Sequence, residues 1–403
     1  MCWRLHCPFR TRAAPEVRST GDEITNILIF GITGMTGGAV LDATLGCAWF
    51  RVSGFSRVKK GQFYDYLVAK GVRMFTGDMN KPETLAIAMQ GIHTVFLVTA
   101  YWDTCSVEME FAQGVNVINM AIENDVKHLI YVGTDYSVAT DCHKCHYLEG
   151  KARVENYIVS GGIPFTIIHM GFYFENLMSL FKPHRTGVNK FALAIPMEEV
   201  ALNCGSVYDF GCCIGKIALD PHLYMFRTIE LATSYLTVAD MASKLDEYYS
   251  TMTFYDPKIT IADYKTLELP ETRALASMFR HYQTLPQWER TGTYDLYPAW
   301  RSFENWIKDS DKDFLSIIYG NKMESSIDPS YGPDSEWRKR PKFLSWMPSS
   351  RSLETKTMAA AAADRSTDID AKYQELVYSM KEYSFRGITE RVESAFGTSS
   401  PKK

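Results

Sequence analysis

Gly31-Ile32-Thr33-Gly34-Met35-Thr36-Gly37 follows directly on the apolar run Ile27–Phe30 and leads into Ala39-Val40-Leu41. The order is strand, glycine turn, helix. Glycine lets the backbone turn tightly, and the free N–H groups of a helix start point at whatever lies over the turn. A pyrophosphate is the ligand such a turn favours. The spacing is G-x-x-G-x-x-G, one residue wider than G-x-G-x-x-G. Glycine turns also serve as plain connectors, so the weight comes from the strands and helices that continue after it.

In NAD-binding turns an acid about 20 residues past the glycines accepts the ribose hydroxyls. No Asp or Glu occurs between Asp42 and Asp65, and Ser56-Arg57-Val58-Lys59-Lys60 stands there instead. A carboxylate at that place repels a 2′-phosphate, whereas an Arg fork grips one and a nearby Lys adds charge. The sequence points to NADP(H) over NAD. The competing view, that these cations only solvate a loop, leaves the missing acid unexplained.

A third group of residues concerns turnover. Tyr147-Leu148-Glu149-Gly150-Lys151 puts a Tyr and a Lys at i and i+4, on one helical face, with Thr134 upstream. In a short-chain reductase the Lys lowers the phenol pKa and holds the ribose. The Tyr then passes a proton while the nicotinamide moves a hydride. Against this stand the frequency of the spacing by chance and Gly150, a poor helix former.

Cys142-His143-Lys144-Cys145-His146 matches C-x-x-C-H. Haem attachment needs an export context, and four zinc ligands within five residues are too compact for one tetrahedron. No metal is expected; a redox-responsive thiol pair is the better use of the string. Cys212-Cys213 lies in an apolar stretch and is expected in the core. Asp78 and Asp209 are expected to be structural or adenine-side rather than catalytic.

The elements that must position these groups alternate. Strand-like runs occur at Ile27–Phe30, Arg51–Phe55, Val72–Phe75, Thr94–Val98, Leu129–Val132 and Thr166–His169. Helical stretches fall at Gly38–Leu45, Lys81–Met89, Val107–Ile122 and Gly150–Val159, the third with Phe111, Val115, Ile118 and Ile122 on one face. Strand–helix alternation implies βαβ units and a parallel sheet with ligands at the carboxyl ends of the strands. The expected fold is α/β, a Rossmann-like doubly wound parallel sheet over 24–180 with a smaller mixed subdomain over 181–315. Helices are expected near Val238–Tyr248, Ile261–Leu267, Thr272–Tyr282 and Phe303–Ile307.

Within the N-terminal tail of residues 1–23, the first twenty residues carry Arg4, Arg10, Arg12 and Arg18 against the single acid Glu16. A transit segment has that bias. Pro8 and Pro15 interrupt an amphipathic helix, and a disordered tail is the expectation. Residues 316–403 are a Pro-rich and helical extension, with Asp368–Phe385 reading as an amphipathic helix that serves either its own body or a protein partner.

The 403 residues are enough for a large core, at 46% hydrophobic and 22% charged. A net charge of −4 gives no electrostatic case for nucleic acid or an anionic membrane. No apolar run approaches the ~18 residues of a spanning helix. Nine scattered cysteines, an odd number, with no secretory signal in view, are expected reduced, in a cytoplasmic or also nuclear protein. The composition leaves a homodimer open.

Taken together, the chain resembles the NmrA-like proteins, atypical members of the short-chain dehydrogenase/reductase superfamily, and among them the animal NADPH-sensor type. The resemblance spans roughly 24–315 and rests on Phe30 to Gly38, Ser56-Arg57, Gly77-Asp78, Val98 to Trp102, Lys151, Val154-Glu155, Tyr157, Tyr173 to Leu177, Ser206 to Gly211, Leu275 to Arg280 and Trp306. It implies that the backbone of Gly31, Ile32, Thr33, Gly34, Met35 and Thr36 holds the pyrophosphate, and that Arg57 with Lys60 holds the 2′-phosphate. It also implies that Asp78 and Met79 flank the adenine and that Thr99, Ala100 and Tyr101 line the nucleotide. Lys151 would reach the nicotinamide ribose, and Tyr173, Phe174, Glu175 and Asn176 would close over the nicotinamide end. Sensor-type relatives carry a His beside an aromatic and keep only the Lys, which His146-Tyr147 matches with one residue inserted. Two departures stand out: a lysine of the helix after Trp102 is replaced around Ala112, and His169-Met170-Gly171 replaces an Arg-x-Pro-like stretch. The resemblance implies an NADP(H)-binding regulator or redox sensor with protein partners; the alternative is an NADP-dependent reductase using Thr134, Tyr147 and Lys151.

Overall fold

The computed structural model describes residues 24–136, 145–265, 270–289 and 291–319. The expectations for the N-terminal tail, for Cys142 to Lys144 and for the extension past Tyr319 fall outside them. The first half is built from β1 (Thr25–Phe30), β2 (Phe50–Ser56), β3 (Arg73–Thr76), β4 (Thr94–Leu97), β5 (His128–Val132) and β6 (Phe165–Met170). Between them run α1 (Met35–Thr44), α2 (Gln62–Ala69), α3 (Pro82–Met89), α4 (Val107–Glu123) and α5 (His146–Ser160). Ile27, Leu28, Ile29 and Phe30 are all buried, as strands covered on both faces must be.

The second half adds β7 (Phe172–Tyr173), β8 (His184–Gly187), β9 (Lys190–Ala192), β10 (Leu202–Gly205), β11 (Arg227–Leu231), β12 (Ser234–Leu236) and β13 (Thr253–Tyr255). Its helices are α6 (Val207–Leu219), α7 (Pro221–Tyr224), α8 (Val238–Tyr248), α9 (Ile261–Lys265), α10 (Pro270–Tyr282), α11 (Thr291–Leu296) and α12 (Phe303–Tyr319). The main sheet is seven-stranded in the order β11-β6-β5-β4-β1-β2-β3, and every pairing is parallel. This is the doubly wound order, with its reversal beside β1. Two three-stranded sheets, β12-β10-β7 and β13-β9-β8, make the smaller mixed part.

The six expected strands of the first half are all present. Two features differ from the sequence reading. The seventh strand comes from 227–231, across the boundary drawn at residue 180, and α6 lies against α1 so closely that a Cβ on Gly211 would stand 2.4 Å from the Ala39 carbonyl oxygen. The buried stripe of α4 is also rotated from the expected face: Val107, Glu110, Gly114, Val117, Ile118 and Ala121 are buried, while Ile122 is exposed. The smaller part closes on an aromatic cluster, in which Phe174 packs on Phe303 and Trp306. Among the described residues no helix is long and apolar enough to cross a membrane.

Candidate functional site

The glycine turn leaves β1 at the point where the strand order reverses. Gly31 has φ +67°, and a Cβ there would meet the Val98 side chain at 2.7 Å. A Cβ on Gly37 would stand 2.2 Å from the Gly31 carbonyl oxygen, so the helix start folds back onto its own turn. The N-cap of α1 is Gly34, with no side-chain cap and no acid in the first turn. The first N–H groups of the helix are therefore uncapped by any side chain, in a cradle that a side chain would fill. A pyrophosphate fits this donor set.

The turn opens on a cleft of about 470 Å³, lined by Gly31, Gly34, Met35, Thr36, Thr99, Ala100, Tyr101, Thr134, Tyr147, Lys151, Tyr173 and Asn176. All of these are residues the sequence singled out. The lining also includes the largely apolar Leu180, Phe181, Leu275, Met278, Tyr282 and Trp288. The Tyr173 hydroxyl lies 3.3 Å from Thr36 Oγ1, joining the glycine turn to the far wall. Burial pushes the Tyr173 phenol well above its ordinary pKa.

Other expected contacts lie elsewhere. The Ile32 side chain is buried in the core, so only its backbone faces the turn. Arg57 and Lys60 sit at the exposed end of β2, outside the cleft wall, where Arg57 Nη2 meets Asp103 Oδ2 at 2.9 Å. Asp78 accepts from the backbone N–H of Asn80 at 2.9 Å, and the Met79 carbonyl accepts from Asn116 Nδ2 at 2.9 Å. Neither lines the cleft.

Phe174 and Glu175 are a correction. They begin a 3₁₀ turn (Phe174–Met178), and its geometry sends them inward while Tyr173 and Asn176 face the cleft. Glu175 is buried and accepts from Ser206 Oγ at 2.7 Å, the Val207 N–H at 2.9 Å and Trp306 Nε1 at 3.1 Å. It ties the 3₁₀ turn to the start of α6 and to α12. Asp209 is likewise structural, accepting from the Arg301 N–H at 2.7 Å.

The three residues proposed for turnover do share the cleft, but each is engaged. Thr134 Oγ1 accepts from the Tyr136 N–H at 3.2 Å. Lys151 Nζ donates to the Thr99 carbonyl at 2.8 Å and pairs with Glu110 Oε1 at 3.1 Å. Thr99 Oγ1 donates to the same carboxylate at 2.7 Å. The Tyr147 ring stacks on Trp102 at 4.9 Å. Burial, with Glu110 adding to it, pushes the Tyr147 phenol up to about 12. His146 points outward to Glu149 Oε2 at 3.2 Å, so the His of a His-aromatic pair does not enter the cleft.

Glu110 is the residue the sequence reading missed. Its signal is visible in retrospect as an acid at core spacing from Val107 and Gly114 on α4. Gly150, read as a weakness of α5, is where that acid fits: a Cβ there would stand 2.3 Å from Glu110 Oε2. Cys145 is buried at the head of α5, and Cys212 and Cys213 are buried in the core, where desolvation raises both thiol pKa values.

Comparison with known proteins agrees with this architecture. The family model for the NmrA-like family matches residues 23–307. An NmrA-like family domain-containing protein of Dictyostelium discoideum is 25% identical over 297 residues, covering 70% of this chain and 93% of that protein. NmrA, a negative transcriptional regulator solved in complex with NADP, superposes with a TM-score of 0.64 at 17% identity, over 76% of this chain and 100% of its own. The same regulator has also been solved with NAD. The Citrobacter sp. triphenylmethane reductase complexed with NADP(H) gives a TM-score of 0.59 at 18% identity, over 71% of this chain and 100% of its own. At such identities the structural likeness carries the fold alone. The family match spans well over half of the sequence, and the chain belongs to the NmrA-like family.

Proposed function

We propose that this protein is an NADP(H)-binding regulator in which binding, rather than turnover, is the primary event. The glycine turn of Gly31 to Gly37 takes the pyrophosphate, Arg57 and Lys60 take the 2′-phosphate, and Lys151 lies where a nicotinamide ribose would be met. A more open groove of about 1060 Å³ shares Thr134, Asp135 and His169 with the cleft. It is lined by Glu155, Glu230, Glu289 and Asp295 against Arg227, and such a surface repels phosphates.

The observation that carries the reading is the Glu110–Lys151 pair, 3.1 Å apart and buried. A reductase tyrosine needs an unneutralised cation to lower its pKa. Here the cation is matched by a carboxylate, and the Tyr147 phenol is held up at about 12. The nicotinamide would supply a hydride; the tyrosines that line the cleft, Tyr101, Tyr147, Tyr173 and Tyr282, all have raised phenol pKa values, so none is an acidic phenol at neutral pH for the matching proton. Occupancy of the cleft instead bears on Tyr101, Trp102 and Tyr173, and through them on the surface offered to a protein partner.

The rival reading, an NADP-dependent reductase, draws on the apolar residues of the cleft lining, Leu180, Phe181, Leu275, Met278, Tyr282 and Trp288. Calorimetric titration of NADPH and NADH into wild type and Arg57→Glu, with NADPH oxidation followed across a carbonyl panel, separates the readings. Tight NADPH binding that Arg57→Glu weakens, without turnover, supports the regulator. Turnover abolished by Tyr147→Phe establishes the reductase. Equal NADPH affinity in both proteins removes the 2′-phosphate assignment.

A further inference from the structure

Arg57 is not waiting for a ligand. It follows β2, and Asp103 closes the 3₁₀ turn Tyr101–Asp103 that follows β4. β2 and β4 flank β1 on its two sides, so both residues rise from the strand ends that form the nucleotide rim. Their contact is a single Nη2–Oδ2 pairing at 2.9 Å, with side chains 66% and 39% exposed. The pair is open to solvent and to an incoming anion. Lys59 and Lys60 on the same loop are exposed and make no ion pair among the described residues.

We propose that Asp103 is a specificity-determining residue that competes with the 2′-phosphate of the dinucleotide for Arg57. The inference rests on the NADP(H) reading above and deepens it. A phosphate monoester carries close to two negative charges and engages a guanidinium through two parallel hydrogen bonds. It therefore displaces a carboxylate held at one oxygen, but the displaced pairing is subtracted from its affinity. The Asp103 carboxylate, left beside the phosphate, repels it as well. A dinucleotide with a plain 2′-hydroxyl brings no anion to this place. The Arg57–Asp103 pair then stays closed and its affinity does not depend on Asp103. The carboxylate thus weakens only the phosphorylated ligand and sets the concentration at which it is sensed.

The size follows from the exposure. A solvent-exposed pair is worth at most about 1 kcal/mol, which is roughly a fivefold change in affinity. Lys59 and Lys60 keep their attraction for the phosphate whether or not the pair is closed, so binding is tuned rather than switched.

The test is calorimetric titration of NADPH and NADH into the full chain, wild type and Asp103→Asn. The expected result is NADPH binding about fivefold tighter in Asp103→Asn, with NADH affinity unchanged. An equal change for both ligands, no change for either, or weaker NADPH binding overturns the proposal; the last would mean that Asp103 positions Arg57 for the phosphate. A wild type that binds NADPH with a flat response to Asp103→Asn sinks this inference and leaves the cofactor reading intact. A wild type that binds neither ligand sinks both.

Discussion

The carboxylate of Glu110 on α4 occupies the space that a Cβ on Gly150 of α5 would need, 2.3 Å from that position. Two residues forty positions apart in sequence are thus a matched set: the glycine admits the acid, and the acid pairs with Lys151 one residue further on. Glu110 also adds to the burial that raises the Tyr147 phenol pKa.

Gly150→Ala is expected to destabilise the protein, against helix propensity. Alanine gains about 1 kcal/mol in a helix interior. The clash with a buried, immobile carboxylate costs about 1–3 kcal/mol. Urea unfolding of Gly150→Ala alone and in a Glu110→Ala background checks this, since the substitution should become favourable once the carboxylate is gone.

Glu110→Ala leaves the Lys151 ammonium buried without its partner, with a cost of about 3–5 kcal/mol. Adding Lys151→Met should restore a large part of that loss, because an apolar pair replaces a broken ionic one. A double-mutant cycle on chemical denaturation midpoints measures the coupling. Additive losses would show that the two groups do not stabilise one another.

Gly37→Ala pushes a methyl group to 2.2 Å from the Gly31 carbonyl oxygen, with backbone on both sides and nothing free to move aside. Overpacking of this kind costs about 1–3 kcal/mol. NADPH binding should fall with it, since α1 must tilt off the turn that its N–H groups serve. Thermal melts and calorimetry on the same preparation report the two losses together.

Asp42 on α1 supplies a pH signature. Burial pushes its carboxyl pKa up to about 7 from the ordinary 3.8. The folded state thus holds a proton that the unfolded chain has already lost between those values. Its contribution to stability is fully present below the lower value and is lost as pH rises through the upper one. Asp42→Asn should match wild type near pH 4 and exceed it by as much as about 4 kcal/mol at pH 8. Equal pH profiles for the two proteins would place Asp42 in water.

Much of this architecture is legible in the amino-acid sequence. The central strands declared themselves because parallel strands covered on both faces are continuous apolar runs, as in Ile27–Phe30 and Leu129–Val132. β11 did not, because an edge strand reading Arg227-Thr228-Ile229-Glu230-Leu231 has only one face to bury. The walls of the cleft were legible where backbone or hydroxyl groups do the work, at Gly31, Thr36, Thr99 and Tyr173. Phe174 and Glu175 were misplaced because neighbouring residues in a 3₁₀ turn face different ways, which a motif does not record. Glu110 and Asp103 were missed for a common reason: each matters through a cation far away in sequence, and only the fold brings the partners together.

The last strand of the main sheet arrives late. β11 pairs with β6 along Arg227–Leu231, and α6 reaches back to cover α1. During synthesis on the ribosome, the half that carries the glycine turn emerges with β6 as a raw edge and with α1 uncovered. It stays so until another sixty or so residues have been made. The sheet of the first half is thus completed by a strand from the second, and the two halves share one main sheet.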